Sequence, residues 1–305
     1  MVQGPVVGKT SDPPEQQKTR QALESARRVF PDSEIILSTW QGTDVDSLPF
    51  DKVVFSPDPG GFPIATGVPD WPLNNVNRQL LSTLAGLKQA SGIYAMKLRS
   101  DFALTNSEFC SYFGKYKSPG RGMQFVEERV LSCSIYARNP RLRRHNRFCM
   151  HPSDFFFFGN REDLLRIFDR PLVTVEDQTW FHERPDRRAL LPEDPQYDTY
   201  LARYCPEQSI WIGFVEKYTD VPVEHAFDRN KAAMKMTEES FAANLVILEP
   251  NQLQLVAAKP KIWTHAGHKN CYSFKDWQCL YDAFCENRRL GYRMLRMRCA
   301  LKYLI

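Results

Sequence analysis

The chain has no Cys-x-x-Cys pair, no Gly-x-Gly-x-x-Gly, no complete Gly-x-x-x-x-Gly-Lys-Ser/Thr P-loop and no apolar run near the ~20 residues of a membrane-spanning helix. Each lack excludes a class. The eight cysteines, Cys110, Cys133, Cys149, Cys205, Cys271, Cys279, Cys285 and Cys299, are scattered, which fits neither a zinc site nor a dense disulfide framework. A reducing, cytosolic setting is expected. Without the glycine motifs, neither a dinucleotide fold nor a P-loop kinase is indicated. Residues 1–7 lack a basic segment followed by an apolar one, so no secretory signal is expected. A formal net charge of +4 is too small to argue for nucleic acid by itself.

What remains is an ordinary globular composition, 43% hydrophobic and 25% charged over 305 residues, enough for one large core or two modest ones. Ala22, Leu23, Ala26, Val29 and Phe30 recur at helical spacing over residues 19–30, and Pro31-Asp32 ends that helix before a buried strand at 34–40. A second strand at 52–55 stops at Ser56-Pro57-Asp58-Pro59-Gly60-Gly61. Residues 76–90 form a helix with Val76, Leu80, Thr83, Leu84 and Leu87 on one face, leading into a strand that ends at Arg99-Ser100-Asp101. This alternation predicts an α/β sheet of parallel type with crossover helices. It persists downstream in a four-aromatic strand, Asp154 to Gly159, and an amphipathic helix at 161–168. Residues 182–199 read as a long polar loop of the kind that forms lids, and Pro206 opens another helix.

In such sheets ligands gather outside the carboxyl ends of strands, which directs attention to Asp101. Its carboxylate suits Mg²⁺ or Mn²⁺, and Arg99 offers a planar fork to the phosphates of a nucleotide sugar. The alternative is a solvated ion pair at the sheet edge. Arg78, at the entrance of the 76–90 helix, is placed to neutralise a diphosphate leaving group, or else is merely solvated. Asp58 either accepts hydrogen bonds from a base or ribose or bonds its own turn backbone. Glu207 leads the candidates for a general base, with Asp154 and Glu176-Asp177 as rivals; its place at a helix start is expected to lower its pKa and weaken it in that role. The close histidine pair, His265 and His268, lacks nearby cysteine or carboxylate and is not read as a zinc site.

Two segments are basic. Residues 138–147, Arg-Asn-Pro-Arg-Leu-Arg-Arg-His-Asn-Arg, suit phosphate, an anionic saccharide or lipid, or plain solvation; only Tyr136 and Phe148 flank the run, which ranks RNA last. Residues 285–305 place Leu290, Met294, Met297 and Leu301 on one helical face and Arg289, Arg293 and Arg296 on another. Such a helix either lies on an anionic bilayer or packs its apolar face on the core.

Taken in order, Gln3-Gly4-Pro5, Phe30-Pro31 before Ile35-Ile36-Leu37-Ser38-Thr39-Trp40, Asp58-Pro59-Gly60, Asn77-Arg78-Gln79 with Ser82-Thr83, and Lys97-Leu98-Arg99-Ser100-Asp101-Phe102 resemble the WavE family of lipopolysaccharide-synthesis proteins. The match is dense over residues 1–105 and thinner beyond, where Asp154 to Gly159 and Pro206-Glu207-Gln208 also resemble the family pattern. The resemblance implies a single GT-A-like domain, a Rossmann-type mixed α/β sheet flanked by helices. It divides into a nucleotide-sugar half at 1–105, an acceptor half at 106–284 and the basic C-terminal segment at 285–305.

The implied activity is a glycosyltransferase that moves sugar from a nucleotide-sugar donor to a saccharide or glycolipid acceptor, in the cytoplasm or at the inner face of the membrane, with no role for nucleic acid. The expected donor site comprises Gln3, Gly4, Thr39, Asp58, Asn77, Arg78, Arg99 and Asp101, of which the resemblance carries over Asp58, Arg78, Arg99 and Asp101; Glu207 and Asp154 are the expected catalytic carboxyls. Asp101 is then the ligand of a divalent cation, Mn or Mg. The sequence departs from Asp-x-Asp at position 99, where arginine stands in place of the first carboxylate, so metal dependence is an open matter. The alternative function is a nucleotide-sugar or polysaccharide binding protein without transfer activity.

Overall fold

Apolar residues at helical spacing and short buried runs alternate from the first residue, and the chain folds accordingly. β1 (Val2–Gln3), α1 (Lys18–Val29), β2 (Ile36–Trp40) and β3 (Lys52–Ser56) are followed by a small antiparallel pair, β4 (Phe62–Pro63) and β5 (Leu73–Asn74), then α2 (Val76–Gln89) and β6 (Tyr94–Arg99). Next come β7 (Phe102–Leu104), β8 (Val130–Cys133), β9 (Phe156–Asn160), α3 (Arg161–Phe168) and the one-turn helices α4 (Val175–Gln178) and α5 (Pro185–Arg188). The last third holds α6 (Pro206–Val215), α7 (Lys231–Asn244), β10 (Leu245–Leu248), α8 (Pro250–Leu253), β11 (Leu255–Ala257), α9 (Phe274–Phe284) and α10 (Arg289–Leu301). This computed structural model describes residues 1–9, 11–67, 73–142, 147–182, 184–194, 197–257 and 270–302.

Seven strands form one sheet in the order β10-β8-β9-β6-β1-β2-β3, flanked by helices in a GT-A-like arrangement. β1 pairs in parallel with β2 and β6, β2 with β3, and β8 with β10, whereas β9 runs antiparallel to both β6 and β8. The sheet is therefore mixed rather than wholly parallel. The cause is the connection from β8. Parallel neighbours need a crossover that carries the chain back to the starting edge. Residues 134–155 contain no described helix, and β9 begins where β6 ends, with Phe156 opposite Leu98. The reversal puts the start of β9, and Asp154 just before it, at the edge where the parallel strands finish.

One core runs through the molecule, from Val2 and Leu23 through Leu98, Phe156 and Trp211 to Trp277 and Leu295. α2 packs on β1, β2 and β3 with Val76, Leu80, Thr83 and Leu87 buried. A second, aromatic cluster of Phe148, Trp180, Phe181, Tyr197 and Tyr200 takes Tyr197 from the segment expected as a polar lid, with Leu191 of the same segment packed against it. That segment is only partly a loop. It carries α5, and its end joins the β4 region through Thr66 N–H to Thr199 O (3.1 Å) and an Ala65–Tyr200 bridge.

The C-terminal helix departs from the core-packed alternative read in the sequence. Its core face is Gly291, Leu295 and Cys299, while Leu290, Met294, Met297 and Leu301 are exposed together with the arginines. Among the described residues, no helix is long and apolar enough to cross a membrane.

Candidate active site

A cleft of about 450 Å³ opens at the carboxyl edge of the sheet. β1 contributes Gln3 and the turn after it Gly4, β2 its last residue Trp40, the turn after β3 contributes Asp58, α2 and its entrance contribute Asn75, Arg78 and Gln79, and β6 with its end contributes Arg99, Ser100 and Asp101. Gly4 is required here: at φ +129° its backbone turns across Ser100, and a Cβ would lie 2.9 Å from Ser100 Oγ. Gln3 Nε2 donates to Ser82 Oγ at 2.7 Å, and Ser82 Oγ donates to Arg78 O at 2.6 Å, tying the end of β1 to the helix that presents the guanidinium.

Arg78 donates twice to Asp58, Nε to Oδ1 and Nη2 to Oδ2, each at 2.7 Å, and Nη1 reaches Asn75 Oδ1 at 2.9 Å. Asp58 also accepts from Gly60 N–H at 2.9 Å, so the turn bond and the cleft contact coexist. The hydrogen bonds from Arg78 hold the Asp58 carboxyl below its ordinary range. Thr39 and Asn77, expected in the donor site, lie outside this cleft. Thr39 is fully buried in β2, whose alternation turns the next residue, Trp40, to the cleft. Asn77 is on the other side of α2 from the cleft positions 75, 78 and 79, and its amide clamps Val173 from both ends, Nδ2 to O at 2.9 Å and Val173 N–H to Oδ1 at 2.7 Å.

Beside the cleft lies a recessed charged cluster. Arg99 meets Asp101 through two bonds of 3.0 and 2.9 Å, with its guanidinium carbon 4.8 Å from the centre of the Phe155 ring. Burial works against the Arg99 charge, but Asp101, Asp154 and Glu207 together hold its pKa above the ordinary value. Lys97, wholly buried in β6, donates through Nζ to the main-chain oxygen of Asp154. Burial pushes its pKa down to about 8, against the pull of Asp154. Asp154 keeps only 3% exposure, and its Oδ1 has no hydrogen-bond partner among the described residues.

Glu207 stands in the first turn of α6, where Gln208 Oε1 accepts from the Cys205 N–H at 3.1 Å and locks the helix start. Contrary to the expectation from a helix N-terminus, its pKa is raised, to about 8. Desolvation is the main cause and the Asp154 charge adds to it, outweighing the helix start, Arg138 and Arg99. The carboxyl is recessed rather than sealed, with 15% side-chain exposure, and lies 3.5 Å from His151 Nε2. Burial, with Arg138 nearby, drives the His151 pKa down to about 3, so the ring is neutral and the contact is not an ion pair at neutral pH. Tyr136 and Met150, at φ +62° and +55°, bracket the segments that carry Arg138 and His151, an arrangement that stores strain beside the cluster.

The residues present do not fit a resident divalent cation. Both Asp101 oxygens are taken by Arg99, and no group of three or more His, Cys, Asp or Glu side chains gathers for a metal among the described residues. The rival carboxylate Asp177 is tied to Arg203 at 3.1 Å. His265 and His268 lie outside the described residues, as do positions 143–146 of the basic run. Two arginines of that run turn inward. Arg138 is 5% exposed, and Arg141 pairs with the buried Glu238.

Sequence reasoning missed Lys97, Arg138 and His151. Lys97 carried a signal, a lone cation inside an apolar strand; Arg138 was masked by its basic neighbours, and His151 had no local mark. A search among curated proteins finds no match to this chain. A family model described as WavE lipopolysaccharide synthesis matches residues 1–300, well past the first 105 residues where the resemblance is densest.

Proposed function

This chain belongs to the WavE family of lipopolysaccharide synthesis, and from that premise we propose that it is a glycosyltransferase using a nucleotide-sugar donor. The observation that carries the reading is the recessed Glu207 carboxyl, its pKa raised to about 8, electrostatically coupled to Arg99, which also lines the open cleft. A base is most useful when its pKa lies near the working pH, and this one titrates there because Asp154 and burial resist its ionisation.

In this reading the donor diphosphate lies over the carboxyl ends of β1, β2, β3 and β6, facing Arg78 and Arg99. The acceptor hydroxyl oxygen attacks the anomeric carbon, its proton passes to Glu207, and the bond to the diphosphate breaks with its electron pair on the departing phosphate oxygen. Charge on that oxygen grows toward the transition state, where fixed guanidinium groups stabilise it more than in the ground state. Asp101 positions Arg99, and Lys97 holds the main chain of Asp154, rather than touching the sugar. The acceptor is a saccharide or glycolipid of lipopolysaccharide synthesis.

The test has two stages. Thermal stabilisation by UDP, GDP, CDP and CMP selects the donor class, because a ligand of the native state raises apparent stability by mass action. Nucleotide release from the matching sugar nucleotide is then followed with core oligosaccharide and glycolipid acceptors. Release that requires both acceptor and Glu207 supports transfer. Tight donor binding with no release under any acceptor would instead identify a non-catalytic binding protein.

A further inference from the structure

The exposed side of α10 combines two stripes that ordinary surface helices keep apart. Leu290, Met294, Met297 and Leu301 follow one another at helical spacing and are 67%, 39%, 53% and 53% exposed. Arg289, Arg293 and Arg296 form the adjoining stripe, also exposed, and none of the three makes a hydrogen bond or ion pair among the described residues. From residue 289 to residue 302 there is no Asp or Glu.

The opposite side of the helix is anchored, so these stripes have a fixed outward aim. Gly291 lies so close to α9 that a Cβ would come 2.7 Å from Cys279 O, and Leu295 and Cys299 are buried. Arg298 Nε donates to Asp276 Oδ1 at 2.8 Å, and Lys302 Nζ bonds the same carboxylate. Lys302 also reaches Cys271 O at 3.4 Å, and Cys271 is bridged to Arg138 of the charged cluster. The carboxyl end of α10 is thereby tied to the segment that pairs with Arg138.

We infer that this face of α10 seats on an anionic lipid bilayer, the apolar stripe entering the acyl boundary and the arginines meeting lipid phosphates. Charge selects this occupant over a second copy of the chain. An isologous contact through the face would oppose arginine stripe to arginine stripe with no acidic residue of the helix to offset them. An anionic surface instead satisfies cations and apolar groups together, the composition expected of an interfacial helix. The inference is independent of the transfer reaction and holds whether or not the cleft binds a nucleotide sugar.

The full chain is sedimented with phosphatidylcholine vesicles, with and without phosphatidylglycerol, across a salt series. Binding is expected only to the phosphatidylglycerol vesicles and to weaken as salt rises. Arg289→Gln/Arg293→Gln/Arg296→Gln should lower the partition coefficient on the order of 100-fold, since each basic group near an anionic surface contributes about 1 kcal/mol. Met294→Ser/Met297→Ser should lower it at low salt as well. All five positions are exposed, and unchanged melting of each variant shows that the loss is at the surface. Wild-type protein left in the supernatant with phosphatidylglycerol vesicles overturns the inference, as does retention of full binding by the arginine variant. A dimer dissolved by the methionine variant and unresponsive to vesicles overturns it in favour of self-association.

Discussion

Arg99 closes on Asp101 through two parallel N–H···O bonds, 3.0 Å from Nε to Oδ1 and 2.9 Å from Nη2 to Oδ2, so the carboxylate at the end of β6 is neutralised by its own neighbour. A planar fork matched to a carboxylate is among the stronger side-chain pairings. The pair is shielded, with Asp101 only 7% exposed in its side chain.

Donor binding is therefore expected to survive removal of divalent cations. Calorimetric titration with the nucleotide found by thermal shift, in EDTA and then in Mn²⁺, should give the same affinity within a factor of about 3, a difference under ~1 kcal/mol. An affinity that collapses in EDTA would show that Arg99 leaves Asp101 when the donor arrives. Arg99→Lys should weaken binding in both conditions, because an ammonium cannot reproduce the fork.

Glu207→Gln is expected to cut turnover by roughly 10²- to 10⁴-fold while leaving donor affinity nearly unchanged. In the wild type the rate should rise with pH toward about 8, as the carboxyl loses its proton, and that limb should be absent from the variant. Initial rates of nucleotide release across the pH range decide it. A wild-type rate in Glu207→Gln removes the residue from the mechanism.

The same raised pKa has a stability consequence of definite sign. Between an unfolded value near 4.5 and a folded value of about 8, the native state binds the proton that the unfolded chain releases, so stability falls as pH rises through this window. Glu207→Gln abolishes this contribution. The melting temperature of the variant relative to wild type should therefore climb from pH 4.5 to pH 8; a flat difference would mean that the folded carboxyl is not desolvated. Lys97 acts in a separate window, since its pKa falls from 10.5 to about 8 and its burial costs stability below that range.

Arg78→Ala separates binding from folding. Its pair with Asp58 is 29% and 40% exposed, and such pairs contribute about 0–1 kcal/mol, so melting should hardly change. Loss of a bidentate donor to phosphate should weaken the donor roughly 10- to 100-fold, about 1.5–3 kcal/mol for bonds to a charged group.

Asn77→Ala should do the reverse. The change leaves the Val173 N–H and C=O without the amide that holds them, at a cost of about 1–3 kcal/mol measured by urea unfolding. Donor affinity should stay at the wild-type value, because Asn77 is not part of the cleft wall. A drop in affinity without a drop in stability would return Asn77 to the donor site.

Much of the fold was legible along the chain because its signals are local. The helices read at 19–30, 76–90 and 161–168 appear at 18–29, 76–89 and 161–168, and the strand expected to end at Arg99-Ser100-Asp101 stops at Arg99. Asp58, Arg78, Arg99 and Asp101 meet in one cleft, as their positions at strand ends and a helix entrance required. Apolar spacing specifies that a segment is a strand and which residues face inward, but it carries no strand direction and no record of what covers a side chain. The reversal of β9, decided by a return path with no described helix, brings Asp154 to the edge where β6 ends. Burial by segments distant in sequence then overrides the helix start at Glu207, turns Arg138 inward and keeps His151 neutral. Residue types and their order determined which groups are available for chemistry; tertiary structure alone decided their company and protonation, because desolvation and charge coupling depend on neighbours in space.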